Sequence, residues 1–354
     1  MVGAGVNISS HGVVFIFNKY IYKKKGSNVM DENIRIQFDY DKMKLTKIYE
    51  NDKVKDFPNV GVQTPDSIKV FGELRFPEFP KDRTYTLASF VTSIDGKVAY
   101  LDNSYGPIIA KGNKLDQDGA DADYWVMTLM RANADAIIAG AGSMVKDRDS
   151  DVQGAGLAFI ADKALEDERV KRGLIPVPWL IISSLDGTDI PFENKSIKEK
   201  KDYILNTSPI GLEAIKIGFN SDYYVVGPYN SVDEIDKNKI TSEFSDYKYK
   251  KIPVIVTGEG KTTNAAILLR ILKLMGINTA SVESPSYCHY LAGGQLLDEI
   301  TLNYSCVYIG GTAIGLGNGM KPNTSIDHPH TEMLSIHTHS PHFFYFRHKF
   351  IYGI

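Results

Sequence analysis

The chain has 354 residues, 43% of them hydrophobic and 11% aromatic, enough to build a substantial core and too many for a disordered chain. A net charge of −3 and a pI near 6.3 give no electrostatic case for nucleic acid or an anionic membrane as partner. The two cysteines, Cys288 and Cys306, make no disulfide framework and read as buried, reduced thiols of a cytosolic protein.

Residues 12–17, GVVFIF, are apolar but far short of the ~20 residues that a membrane span requires. They have no basic leader before them and no small-residue cleavage site after them. Met30 opens the acidic MDEN, which marks residues 1–29 as a dispensable extension or an upstream start. Residues 30–82 read as an N-terminal arm. Within it 34–40 alternates as a strand does, and Pro58, Pro65, Pro77 and Pro80 punctuate a stretch of little helical character.

From residue 83 the pattern is that of a single domain running to 354. Residues 85–92 form a strand that turns at Asp95 and Gly96, an Asp–Gly pair suited to a tight turn. Residues 121–131 predict a helix with Trp125, Val126 and Leu129 near one face. The run 136–139 fills a buried strand and breaks into Gly140, Ala141, Gly142 and Ser143. Glycines between a strand and a helix leave backbone N–H groups pointing outward, a setting that favours a phosphate, to which Ser143 adds a hydroxyl donor. A Gly-Ala-Gly run also serves simply to turn a corner, and the third glycine of a dinucleotide fingerprint is absent.

Further strands are expected at 178–184, 223–227, 253–258, 279–283 and 299–309, with helices at 262–275 and 286–291. Charged connections, including the lysine-rich 195–201, separate the first three. Alternation of strand and helix implies a largely parallel sheet flanked by helices, closed by an antiparallel hairpin from 331 to 354.

Gly258, Glu259, Gly260, Lys261 and Thr262 end like a phosphate-binding loop, but Ile255 stands where that motif requires glycine. Six of the eight histidines lie between 328 and 348, and His337 and His339 are two apart on a strand. Without a recognisable ligand spacing they favour a hydrogen-bonded hairpin over a metal site, and no metal is expected. No nucleophile elbow and no zinc-deaminase signature occur.

Four segments, SIDGK at 93–97, LMRANADAIIAGAGS at 129–143, VES at 282–284 and LLDEITL at 296–302, resemble in order and spacing the reductase domain of bifunctional riboflavin-biosynthesis proteins. The resemblance spans about 83–354. It implies a dihydrofolate-reductase-like fold, with a mixed, mostly parallel sheet, helices on both faces and a C-terminal hairpin, assembled as a homodimer. It further implies NADPH at the carboxyl ends of the strands and hydride transfer to ribose C1 of an aminopyrimidine ribosylamino phosphate. On that basis Gly140, Ala141, Gly142, Ser143, Asp147, Ser284, Pro285 and Ser286 hold the cofactor. Arg131, Lys97 and Glu283 meet the substrate, and Asp95 and Glu283 face the reacting atoms.

The family has Glu-Gly-Gly-Pro where this chain has Glu283, Ser284, Pro285 and Ser286. Serine and proline add bulk and proline removes an N–H donor, while the serine hydroxyls restore some hydrogen bonds and Pro285 suits the first position of a helix. The alternatives are a paralogue acting on another heterocycle and a non-catalytic nucleotide-binding protein. The deaminase half of the bifunctional proteins has no counterpart in residues 1–82.

Overall fold

The structure, a computed structural model, describes residues 36–142, 159–193, 197 and 202–353. One eleven-stranded sheet organises them. Eight strands run parallel, side by side in the order β10 (Glu299–Ser305), β2 (Tyr85–Thr92), β9 (Thr279–Val282), β4 (Ala136–Gly140), β5 (Trp179–Ser184), β6 (Tyr203–Thr207), β8 (Ile252–Thr257) and β7 (Tyr223–Tyr229). The hairpin of β12 (His330–Ser340) and β13 (Phe343–Ile351) extends the sheet antiparallel to β10, and β1 (Thr46–Glu50) adds to β12. This is the expected mixed sheet, with the C-terminal hairpin in the expected place.

Both faces of the parallel strands are apolar because both are covered. Successive residues of β4 divide between them. Ile138 packs with Ile181 and Ile204 against Leu268 and Leu272 of α7 (Ala265–Leu274). Ile137 packs with Leu180 and Leu205 against Leu212 and Ile215 of α5 (Pro209–Gly218). Beside it, α3 (Gln117–Ala132) lays Trp125, Leu129 and Met130 on Leu87 and Tyr345. Among the described residues no helix is long and apolar enough to cross a membrane.

Several expectations need correction. Within 34–40 the described residues form no strand; the arm's strand is β1, further on. The proline-punctuated stretch contains a helix, α1 (Pro65–Phe71). Thr64 and Ser67 cap it reciprocally, and Pro65 at its first turn has no N–H to waste. The charged connections between strands hold β6, α5 and α6 (Lys237–Tyr247), and α4 (Lys163–Lys171) precedes β5. β10 stops at Ser305, four residues short of the predicted end. Apart from Ile197, the 195–201 run lies outside the described residues.

The arm does not stand apart from the sheet. Met43, Leu45, Val62, Val70, Phe71, Leu74 and Phe76 are buried in one cluster with Tyr85, Leu87, Trp125 and Phe343. Asn133, at the end of α3, accepts from Val62 N–H at 2.5 Å and donates to the Val62 carbonyl at 3.1 Å.

Two histidines of the hairpin brace the same junction. His337 is buried and stacks on Phe71 with centroids 4.3 Å apart; burial first, then the Lys47 and Arg347 charges, push its pKa down to about 3. His339 lies 2.8 Å from Asp116 Oδ2 through Nδ1 and 2.7 Å from the Lys42 carbonyl through Nε2. Burial opposes its charged form, but Asp116 and the carbonyl prevail and hold its pKa above the ordinary value. Among the described residues no three His, Cys, Asp or Glu side chains are grouped to hold a metal ion.

Candidate active site

The four segments that carried the resemblance end up adjacent, because β10, β2, β9 and β4 are neighbours and all point their carboxyl ends the same way. In α/β sheets that rim is where ligands bind. Arg131 reaches it from the last turn of α3 and Glu283 from the residue after β9. Arg131 Nε and Nη2 donate to the two oxygens of Glu283, each at 2.6 Å. The pair is nearly enclosed, with side chains 6% and 11% exposed, and the guanidinium lies 6.0 Å from the Phe159 ring. A planar fork on a carboxylate is the strongest and most directional form of ion pair. Both residues were expected to face the substrate; the structure joins them to each other.

The glycine turn and the serine–proline turn also meet. A Cβ placed on Gly140 would come within 3.3 Å of Ser284 Oγ, so a side chain there would crowd the neighbouring strand end. Beyond it, a Cβ on Gly142 meets no atom of the described residues within 4 Å. Ser284 is the N-cap of α8 (Pro285–Gly293), makes no side-chain cap bond, and has its hydroxyl 3.4 Å from that of Ser286. The first N–H groups of α8 therefore remain without a capping side chain. Exposed backbone at Gly142, two serine hydroxyls and this helix start bring hydrogen-bond donors together at one strand end, a setting that favours an anion. Ser143 and Asp147 lie outside the described residues.

Asp95 sits in the turn between β2 and β3 (Lys97–Ala99). It accepts from Ser93 Oγ at 2.6 Å and from the backbone N–H groups of Ile309 and Gly310 at 3.1 and 2.8 Å. The Ser93 hydroxyl first, then the two N–H groups, hold its carboxyl at about 2. Asp95 is therefore an anion at any ordinary pH and cannot donate a proton. It pins the loop after β10, where Gly310 and Gly311 take left-handed φ of 72° and 57° that favour glycine. Lys97 shares the hairpin, its N–H donating to Ser93 Oγ at 3.0 Å. Among the described residues Asp95 and Glu283 share no hydrogen bond.

Two features escaped the sequence reading. The glycine-rich run 310–319 forms a strap: β11 (Ile314–Gly315) pairs with β3, and Gly317 lies under the His289 ring, where a Cβ would approach within 2.9 Å. His289 Nε2 lies 2.9 Å from the Lys321 carbonyl, fastening the strap to α8. Its five glycines in ten residues were a visible signal. The other feature is Asp123, on the buried face of α3, whose carboxylate accepts from the Asn303 amide at 2.7 Å. Burial pushes its carboxyl up to about 7, against the opposing hydrogen bond from Asn303.

Because the folded state holds that proton more tightly than the unfolded chain, Asp123 makes stability fall as pH rises from near 3.8 to about 7. Asp123→Asn keeps an acceptor for Asn303 and should flatten that part of the stability–pH curve, raising the melting temperature most above pH 7. An unchanged slope between pH 4 and 7 in the variant would show that Asp123 is not the titrating group.

No protein-family model matches this chain, and no curated protein matches it by sequence. Solved structures do. A pyrimidine reductase-like protein from Corynebacterium diphtheriae superposes with a TM-score of 0.52 at 18% identity, over 81% of this chain and 98% of that one. RibD of Acinetobacter baumannii gives 0.47 at 16%, over 76% of this chain and 58% of its own. The deaminase/reductase of Thermotoga maritima gives 0.45 at 15%, over 76% and 57%. The chain thus spans under three-fifths of the two longer proteins. What it shares with the first is the fold, a dihydrofolate-reductase-like α/β sheet of the kind the resemblance implied.

Proposed function

We propose that this chain is an NADPH-dependent reductase of an aminopyrimidine ribosylamino phosphate, of the riboflavin-pathway type. The observation that carries the reading is the convergence, at one rim of the sheet, of the Arg131–Glu283 fork, the Gly140–Ser284 cradle and the ionised Asp95. Bound there, NADPH would supply the hydride that reduces ribose C1. Gly140, Ala141, Gly142, Ser284 and Ser286 would hold its phosphates together with Ser143, and Asp147 would lie near the cofactor. Pro285 starts α8 without sacrificing a helical hydrogen bond, so the helix's first N–H groups stay available to an anion.

In this reading Arg131 shares its guanidinium between Glu283 and the substrate phosphate, and Lys97 supplies a second cation. Asp95 faces the ribosyl group as a fixed anion, favouring the positive charge that develops at C1 in the ring-opened imine. The protein's main contribution is to place two ligands against each other, worth several kcal/mol in favourable cases. The Ser284–Pro285 turn, where the family has glycines, favours a second reading in which the same machinery serves a different heterocycle.

Calorimetric titration of NADPH and NADH tests the cofactor directly. Micromolar NADPH binding is expected, abolished by Gly142→Glu, whose Cβ meets no atom of the described residues within 4 Å. Turnover with the aminopyrimidine ribosylamino phosphate should follow; NADPH oxidation only with other heterocycles would select the second reading. Absence of binding by either nucleotide would remove hydride transfer and leave the fold alone. The homodimer belongs to the same proposal and is read by sedimentation equilibrium.

A further inference from the structure

At the amino ends of β5 and β6, opposite the rim just described, a cavity of about 340 Å³ is lined by Ile175, Pro176, Val177, Asp202 and Tyr249. Its volume falls in the range of small-molecule sites. Three of its walls are apolar. Asp202 contributes a carboxylate that makes no side-chain hydrogen bond or ion pair among the described residues; only its backbone carbonyl is engaged, by Leu180 N–H at 3.1 Å. An acceptor left unused beside an apolar wall is complementary to a ligand that is planar and carries N–H donors.

Tyr249 supplies the aromatic wall. Its φ is 62°, the left-handed turn that ends α6 directly after its C-cap Lys248. That conformation lays its ring on buried Trp179, with centroids 5.2 Å apart and planes 12° from parallel, while Tyr249 itself stays 43% exposed. Lys248 Nζ stands 5.2 Å from the Tyr249 ring and 6.0 Å from Trp179. The aromatic end is therefore already served by a cation, and a ligand's positive charge belongs at the Asp202 end.

From this cavity we infer a second small-molecule site, distinct from the reductase rim, for a planar ring bearing an amidinium or protonated amino-heterocyclic group paired to Asp202. An amidinium presents two parallel N–H donors to a carboxylate, the bidentate geometry that gives such pairs their directionality. Its ring would lie between Val177 and Pro176 on one side and Tyr249 on the other.

The chain has two tryptophans, so the full-length protein labelled with 5-fluorotryptophan gives two fluorine resonances, assigned by Trp125→Phe. Benzamidine is the probe. The Trp179 resonance should move saturably at millimolar benzamidine while Trp125 stays still. Asp202→Asn should weaken the response at least tenfold, and so should replacing benzamidine with neutral benzyl alcohol. Tyr249→Gly, which suits the left-handed backbone and so should fold, should also abolish it. No saturable shift, or an equal response in Asp202→Asn, overturns the site. Neither result bears on NADPH binding at the opposite rim, so the two readings stand or fall separately.

Discussion

Arg131→Ala is expected to destabilise the protein by about 3–5 kcal/mol, because it leaves the Glu283 carboxylate enclosed without its partner. Glu283→Ala should also destabilise, because the enclosed guanidinium loses its carboxylate. The two losses should not add: with both groups gone there is no buried charge left to strand, and the double variant should be more stable than the sum predicts. Chemical denaturation of the four proteins closes the cycle. Full additivity would show that the fork seen at 2.6 Å does not couple the two residues. A ligand readout separates stability from function. In the folded fraction, loss of Arg131 should weaken a phosphorylated substrate far more than NADPH, and equal weakening of both would remove Arg131 as the phosphate ligand.

Phe76→Ala should be the most damaging substitution in the N-terminal arm, at about 3–5 kcal/mol. The ring is 2% exposed and sits under the Arg347 guanidinium at 4.9 Å. Arg347 is in turn held by Glu299 through Nε at 2.9 Å and Nη2 at 2.7 Å, with both side chains 3% exposed. Truncating the ring opens a cavity and removes the aromatic face beneath a buried ion pair. Urea unfolding should remain one transition with an unchanged slope, its midpoint lowered. A separate early transition that leaves the rest of the sheet folded would show that the arm is an independent layer.

The sequence conveyed the parallel sheet well because its strands are short apolar runs bounded by turn residues, as at Ala136–Gly140 and Ile252–Thr257. It conveyed the arm poorly. Val70 and Phe71 belong to the core, yet only seven residues of helix carry them between prolines, too few for a periodic signal. α6 was invisible for a related reason: only Ile240 and Phe244 are buried, two anchors one turn apart on an otherwise polar helix.

The motifs picked out strand ends that the fold brings to one rim, since glycine, acid and arginine types are legible in one dimension. Their partners were not. That Arg131 meets Glu283 across 152 positions, and that Asp95 clasps Gly310 across 215, depends on which strands lie side by side. The strand order β10, β2, β9, β4 is a property of the fold rather than of any local pattern.

A sheet this wide has two outermost strands whose backbone groups could recruit another chain, and each is blunted differently. On one flank β1 covers β12, which would otherwise offer eleven residues of unpaired ladder, and β1 itself is short, twisted by an irregular register and studded with Lys47 and Glu50. On the other, β7 carries Pro228, which has no N–H to offer an incoming strand. The arm that the sequence presented as an appendage thus also keeps separate molecules from zipping together.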